Sequence, residues 1–529
     1  MTYTSYLYFF GFAIIVYVMY LLFPIKHRWK VLLAGSCLFS IILDGFLSLC
    51  LFVTAFSSYF CALQLTKMQD DFNSAKKGLS KDEKKELKNK VTKQKKTVVA
   101  AAVIISLGIL IVLKYTNFFL GTINGISAFF RAGFEIPLVG FVLPLGISYY
   151  TLQAIGYVVD TYRGKYRAET NPAKLLLFVS FFPQMTEGPI GRYDKLMPQL
   201  EQGHRYNNED FTAGITLIFW GLFKKLVISD RASYIATDVF SDYNKYGSFV
   251  IILAMICYTI QLYTDFSGCI DIMSGTARIF GIRLEPNFRQ PFFSKSVGEF
   301  WRRWHITLGT WFKDYVFYPV SLSKPFMKLS KASQNHMSKF MASIVPSSCA
   351  LFVVWLGTGL WHGADIKYVL YGLYYFLIMI LGTLFEPVFV KMFSKSKIDR
   401  RGRLMNSWAV LRTLLLVNMG MTMFKANTIG DFGAIIWRSF TNFSMNDLMY
   451  GTLFERGTDR HDFVVIAIGV IIMFIVAVLK EKGRDPLKSV STGRIYIKWP
   501  VMIGLILAVL VLGAFGPHYG VVDNIYAQF

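Results

Sequence analysis

The 529-residue chain lacks most features that mark a soluble enzyme or a secreted scaffold. It has six cysteines, Cys37, Cys50, Cys61, Cys257, Cys269 and Cys349, and none form a CxxC pair. All sit in or beside apolar runs, where cysteine serves as a small packing residue, so neither a disulfide framework nor a thiolate zinc site is expected. HExxH, P-loop and GxSxG patterns are absent, and the seven histidines are not clustered with other ligands, so no metal site is expected. Acidic residues are few: 33 Asp and Glu stand against 56 Lys and Arg, a net charge of +23. In a soluble protein that balance would suggest nucleic acid. Here the basic residues cluster in short loops between apolar runs, a pattern that sets membrane orientation and meets anionic lipid, so no nucleic-acid partner is expected.

What the chain has in abundance is apolar length, with 54% hydrophobic and 16% aromatic residues. Apolar runs near 5–24, 31–45, 46–65, 98–118, 138–159, 211–228, 248–266, 343–360, 366–390, 407–424, 462–479 and 500–515 predict about twelve spanning helices. The fold class is therefore an all-α polytopic membrane protein, read as a single membrane-embedded domain over 1–529. The first run has no basic residues ahead of it and no small-residue cleavage site after it, and reads as a retained span. The basic segments 26–30, 67–97, 163–167, 278–303, 391–403 and 480–498 all follow odd-numbered runs. The excess of positive charge in cytoplasmic loops then predicts these six inside and both termini outside.

Three segments do not read as simple spans. The stretch 67–97 carries eleven lysines and five acids, with Ser80 and Glu83 spaced as a helix cap. It predicts a cytoplasmic helix, either lying on the membrane face or fully solvated. Residues 171–200, broken by Pro183, Pro189 and Pro198, and residues 285–320 are too polar to cross and too aromatic for free loops. Non-helical backbone survives at membrane depth only when buried in protein or lining a watery cavity. Both are expected to be re-entrant or interfacial segments lining a cavity.

Candidate chemistry concentrates in three places. In "WRRWHITLGTWFKDYVFYP", residues 301–319, helical periodicity puts Trp301, Trp304, His305, Leu308, Trp311, Phe312 and Tyr315 on one face. Arg302, Arg303, Thr310, Lys313 and Asp314 fall on the other, where the arginines could snorkel to head groups or bind a phosphate. His305 is either a hydrogen-bonded core residue or a functional one. In "WLGTGLWHGAD", residues 355–365, glycines flank Trp361 and His362 at the end of an apolar run. A histidine there is costly unless paired or exposed to a cavity, and its neutral imidazole suits general-base work; a structural pairing with Asp365 is the alternative. In "YTDFSGCIDIMSG", residues 263–275, Asp265 and Asp271 should face the bundle interior, most simply in structural roles, otherwise relaying protons.

Together these motifs closely resemble the membrane-bound O-acyltransferases, in particular the alginate O-acetyltransferase branch that acetylates bacterial exopolysaccharides. "LPLGISYYTLQAIGYVVDTYRG" (143–164), "FFPQMTEGPIGRYDKLMPQL" (181–200) and "NIYAQF" (524–529) look like the same branch. The resemblance implies a ring of spanning helices with shorter tilted ones around a central tunnel. It implies His362 as the catalytic histidine and His305 as the second, with Trp361, Asp314, Asp265 and Asp271 supporting and Arg302 and Arg303 meeting donor phosphates. It implies a cytoplasmic acyl-thioester donor, acetyl-CoA in this branch, and no tightly bound cofactor. The acetyl group would pass outward to a polysaccharide acceptor, with an extracytoplasmic esterase-like transferase as partner, in the bacterial cytoplasmic membrane. Three alternatives stay open: D-alanyl or other acyl export of the teichoic-acid type, a transporter without bond chemistry, and a scaffold subunit whose histidines only pack.

Overall fold

A computed structural model describes residues 2–396, 399, 402–444 and 459–515. The motif at 524–529 and His518 lie outside the described residues. The regular structure among the described residues is helical, with a single isolated antiparallel bridge between Phe288 and Trp304. Nine of the described helical stretches are long and apolar enough to cross a membrane, and Leu7–Leu22 is a shorter apolar helix. The all-α polytopic reading therefore stands, with nine such stretches in place of about twelve runs. The chain forms two compact units, residues 1–214 with 276–285, and residues 215–275 with 286–529.

In the first unit, the runs expected at 31–45 and 46–65 become helices Arg28–Asp44 and Leu49–Ala75, separated at Gly45, whose φ of +53° a side chain would resist. Hydropathy merges them into one stretch, Ile25–Ala75. The basic segment departs from expectation. Ser80 and Glu83 do form a reciprocal cap, with the Glu83 carboxylate accepting from the Ser80 amide at 2.8 Å. The helix they start, however, runs unbroken from Lys81 to Phe129. Its 49 residues extend about 73 Å at 1.5 Å per residue, against about 30 Å of bilayer core. Eight of the eleven lysines thus lie in the first turns of the helix that makes the span, not in a separate surface helix, and Lys95 reaches back to the Gln69 side chain of Leu49–Ala75.

The run expected at 138–159 is also shorter as a helix, which begins only at Ile147 and ends at Tyr162. Pro137, Gly140 and Pro144 account for this: proline removes amide donors and disfavours helix in the residue before it. Two asparagines of Lys81–Phe129 serve the extended backbone instead. Asn124 donates to the Ile136 carbonyl and accepts from its amide, both at 2.8 Å. Asn117 does the same for Val139, at 2.7 and 2.9 Å. Residues 171–200 fold as two short helices, Pro172–Ser180 and Tyr193–Gln202, joined by a turn in which residues 181–191 are all buried in protein.

In the second unit, close approaches at glycine set helix positions. Between Asn208–Leu222 and Ser248–Ile279, a Cβ added to Gly221 would lie 2.5 Å from the Gly268 carbonyl, so the helices meet backbone to backbone. Lys339–His362 and Ile366–Ser396 meet in the same way, with Gly359 against the Tyr368 carbonyl and Gly372 against the Trp355 carbonyl. This second crossing holds His362 at the end of its helix. Gly372→Val should cost about 1–3 kcal/mol through overpacking. It should lower the melting temperature of detergent-purified protein. Gly382→Ala, on the same helix with open space around it, should not.

Candidate active site

The segment 301–319 is not one helix. Val297–Arg303, capped by the Ser296 hydroxyl, stops at Trp304, which is extended (φ −109°, ψ 131°). His305 then takes a left-handed conformation (φ 46°, ψ 52°), and a second helix runs Ile306–Phe312. The face drawn through Trp301, Trp304, His305 and Leu308 is therefore corrected to two short helices hinged at the histidine. The physical reason is a long-range pairing that no periodicity reveals. The Arg289 amide donates to the Arg303 carbonyl at 2.9 Å, and the Ile306 amide donates to the Asn287 carbonyl at 3.0 Å. This short antiparallel ladder holds the chain open around Trp304. A left-handed non-glycine residue costs on the order of 1–2 kcal/mol, and strain of this kind clusters at functional sites.

His305 is buried, 2% exposed. Its Nδ1 lies 3.2 Å from Asn287 Oδ1, an oxygen that also accepts from the Thr307 amide at 3.1 Å and the Thr307 hydroxyl at 2.9 Å. The Phe266 ring lies edge-on, centroids 4.8 Å apart. Burial, and secondarily the proximity of His362, pushes the His305 pKa well below its ordinary value, which disfavours the protonated ring.

His362 is equally buried, at 2% exposed, and ends the helix Lys339–His362. Its ring meets Trp361, Tyr371 and Phe424 edge-on at 5.0, 5.6 and 5.4 Å. Gly363 follows because any Cβ there would collide with the Tyr368 ring. Trp361 is the shared neighbour, with its ring 5.6 Å from His305 as well. The fold thus brings together three of the residues singled out in the sequence, His305, Trp361 and His362, although 57 positions separate the histidines.

The remaining predicted residues lie elsewhere in their chemistry. Asp265 is 1% exposed and meets Lys225 Nζ at 2.6 Å, with Asp230 on the same ammonium at 3.0 Å. Asp271 meets Lys224 Nζ at 2.8 Å, and that ammonium also donates to the Ser267 carbonyl at 2.7 Å. Both carboxylates therefore neutralise lysines of the π-helical turn Phe223–Ser229. Arg303 is gripped by Glu299 at 2.8 Å and Glu481 at 2.9 Å, while Arg302 is exposed. Asp314 lies half-buried in the π-helical turn Lys313–Phe317. The sequence reading missed Lys224, Lys225 and Asn287. Two adjacent lysines inside the apolar run 211–228 were the available signal for the first pair. Nothing local marks Asn287. Among the described residues, no group of three or more His, Cys, Asp or Glu could hold a metal ion.

Comparison with known proteins identifies the family. The sequence model of the membrane-bound O-acyltransferase family matches residues 165–424, a stretch that contains both histidines. The protein named Probable alginate O-acetylase AlgI in Azotobacter vinelandii is 31% identical over 399 residues, 72% of this chain and 72% of that relative. The chain belongs to the membrane-bound O-acyltransferase family. The acyltransferase is also 29% identical to Probable alginate O-acetylase AlgI of Pseudomonas aeruginosa over 398 residues, 73% of this chain and 68% of the relative. It is 33% identical to the Peptidoglycan O-acetyltransferase of Helicobacter pylori over 286 residues, 49% of this chain and 50% of the relative. It is a multi-pass membrane protein and an enzyme of O-acyl transfer, and the two buried histidines fall inside the matched region.

The carboxylate at Asp265 tests whether charge near the site is structural. Breaking a buried ion pair costs about 3–5 kcal/mol when the other charge is left alone, and less here because Asp230 stays on the Lys225 ammonium at 3.0 Å. Asp265→Leu should therefore lose part of that amount in thermal or denaturant stability, and Asp265→Asn, which keeps an oxygen, should lose less. Both should leave the acyl-transfer rate of the remaining folded protein unchanged. A rate that falls further than the folded fraction would assign Asp265 a part in the reaction.

Proposed function

We propose that the acyltransferase moves an acetyl group from a cytoplasmic thioester, acetyl-CoA, through a tunnel between its helices for O-acetylation of an extracytoplasmic polysaccharide. The observation that carries the reading is the meeting of His362 and His305 around Trp361 in a buried, aromatic-walled site. The names of the relatives, which act in alginate and peptidoglycan O-acetylation, support acetyl as the cargo and a surface glycan as the destination. The clustering of basic residues in short loops supports a cytoplasmic donor and termini on the outer side. An esterase-like partner outside the membrane would complete the transfer to polymer.

In this mechanism the neutral His362 imidazole takes the proton of an acceptor hydroxyl as its oxygen attacks the thioester carbonyl. The carbon–sulfur bond breaks, and the thiol leaves with that proton returned to it. A transient acyl-histidine is the other route open to the same residue. The thioester supplies the transfer energy, so no nucleotide hydrolysis is needed. His305 stands beside this centre as the second histidine, Asp314 helps to position donor or base, and a coenzyme's phosphates would meet the exposed Arg302, and Arg303 only in competition with Glu299 and Glu481.

General-base catalysis contributes about 10²–10⁴-fold. His362→Ala, in protein that inserts at normal levels, should therefore cut acetyl groups on surface polysaccharide to background by mass analysis. Continued acetylation would sink the assignment. Membranes supplied with radiolabelled acetyl-CoA separate the competing readings, because a transporter leaves the thioester intact and a D-alanyl exporter ignores it.

A further inference from the structure

We infer that Asn287 is a positioning residue that fixes the His305 ring with its proton on Nδ1, leaving the lone pair on Nε2. The inference rests on the reading that His305 belongs to the acyl-transfer site and goes beyond it by naming the residue that sets its tautomer. Asn287 is buried, 1% exposed, and binds the histidine segment through both its main chain and its side chain. Its carbonyl accepts the Ile306 amide at 3.0 Å, closing the turn that makes His305 left-handed. Its Oδ1 faces the Thr307 amide at 3.1 Å and His305 Nδ1 at 3.2 Å.

The Thr307 contact decides the chemistry. A main-chain amide can only donate, so the side-chain atom of Asn287 facing it is the oxygen and not the nitrogen. An Nδ1 lone pair turned toward the same oxygen would set two acceptors against each other in a buried site. A proton on Nδ1 makes the contact a hydrogen bond. In a neutral imidazole the other nitrogen, Nε2, then carries the lone pair. The strained backbone at His305 and the ladder through Arg289 and Arg303 fix the ring's position, and Asn287 Oδ1 fixes which nitrogen is basic.

Nitrogen-15 solid-state NMR of histidine-labelled protein in lipid bilayers at neutral pH tests this directly, with His305→Gln identifying the His305 signals. The wild-type ring should show a protonated Nδ1 and an unprotonated Nε2. Asn287→Leu should lose that preference, and Asn287→Asp, which keeps the acceptor oxygen, should retain the Nδ1 proton. Asn287→Leu should also lower kcat on the order of 10–100-fold, the scale seen when a histidine's orienting partner is removed, with the donor KM little changed. A wild-type His305 protonated on Nε2 overturns the inference, even if Asn287→Leu does not fold. So does an Asn287→Leu spectrum identical to wild type. Because this readout is the ring itself, it stands or falls separately from the loss of acetylation expected for His362→Ala.

Discussion

A polar group carried into lipid or into a dry core has no water to fall back on, and an unmet donor or acceptor there costs several kcal/mol. Much of this chain's architecture can be traced to that constraint. Where Pro137, Gly140 and Pro144 forbid a helix, Asn117 and Asn124 stand in for the missing strand, each closing a donor–acceptor pair with extended backbone. Where the turn Phe223–Ser229 buries two lysines, Asp265, Asp230 and Asp271 meet them. Where the chain opens between two short helices, Asn287 bonds the amides of Ile306 and Thr307. In each case a group from another segment, most often a side chain, completes what the local chain leaves unpaired.

The same constraint explains what could and could not be read from the sequence. Long apolar helices follow from composition alone, because burial in lipid is set by residue type and run length. The Ser80–Glu83 cap was legible because capping partners lie three residues apart. The glycine pattern around His362 was legible as an unusual grouping, and the collision awaiting any Cβ at Gly363 gives it a cause. Two features were hidden for different reasons. Hydropathy counts 138–146 as oil and is blind to Pro144 within it and Pro137 just before it, although both were in plain view. The break at Trp304 and His305 has no local mark at all: helical periodicity continues straight through it, and the pairing that overrides it comes from residues 287–289. For the same reason, nothing in the sequence placed His305 beside His362; the resemblance named both histidines but not their meeting at Trp361.

The histidines are held by contrasting means. His362 ends a long helix and is enclosed by the rings of Trp361, Tyr371 and Phe424, contacts that fix a ring's place. His305 sits at a strained main-chain position with an amide oxygen at Nδ1, an arrangement that chooses between its nitrogens. A group that must present one unchanging face is served by a fixed partner. At His305 the strained main chain and the Asn287 oxygen together maintain one fixed geometry.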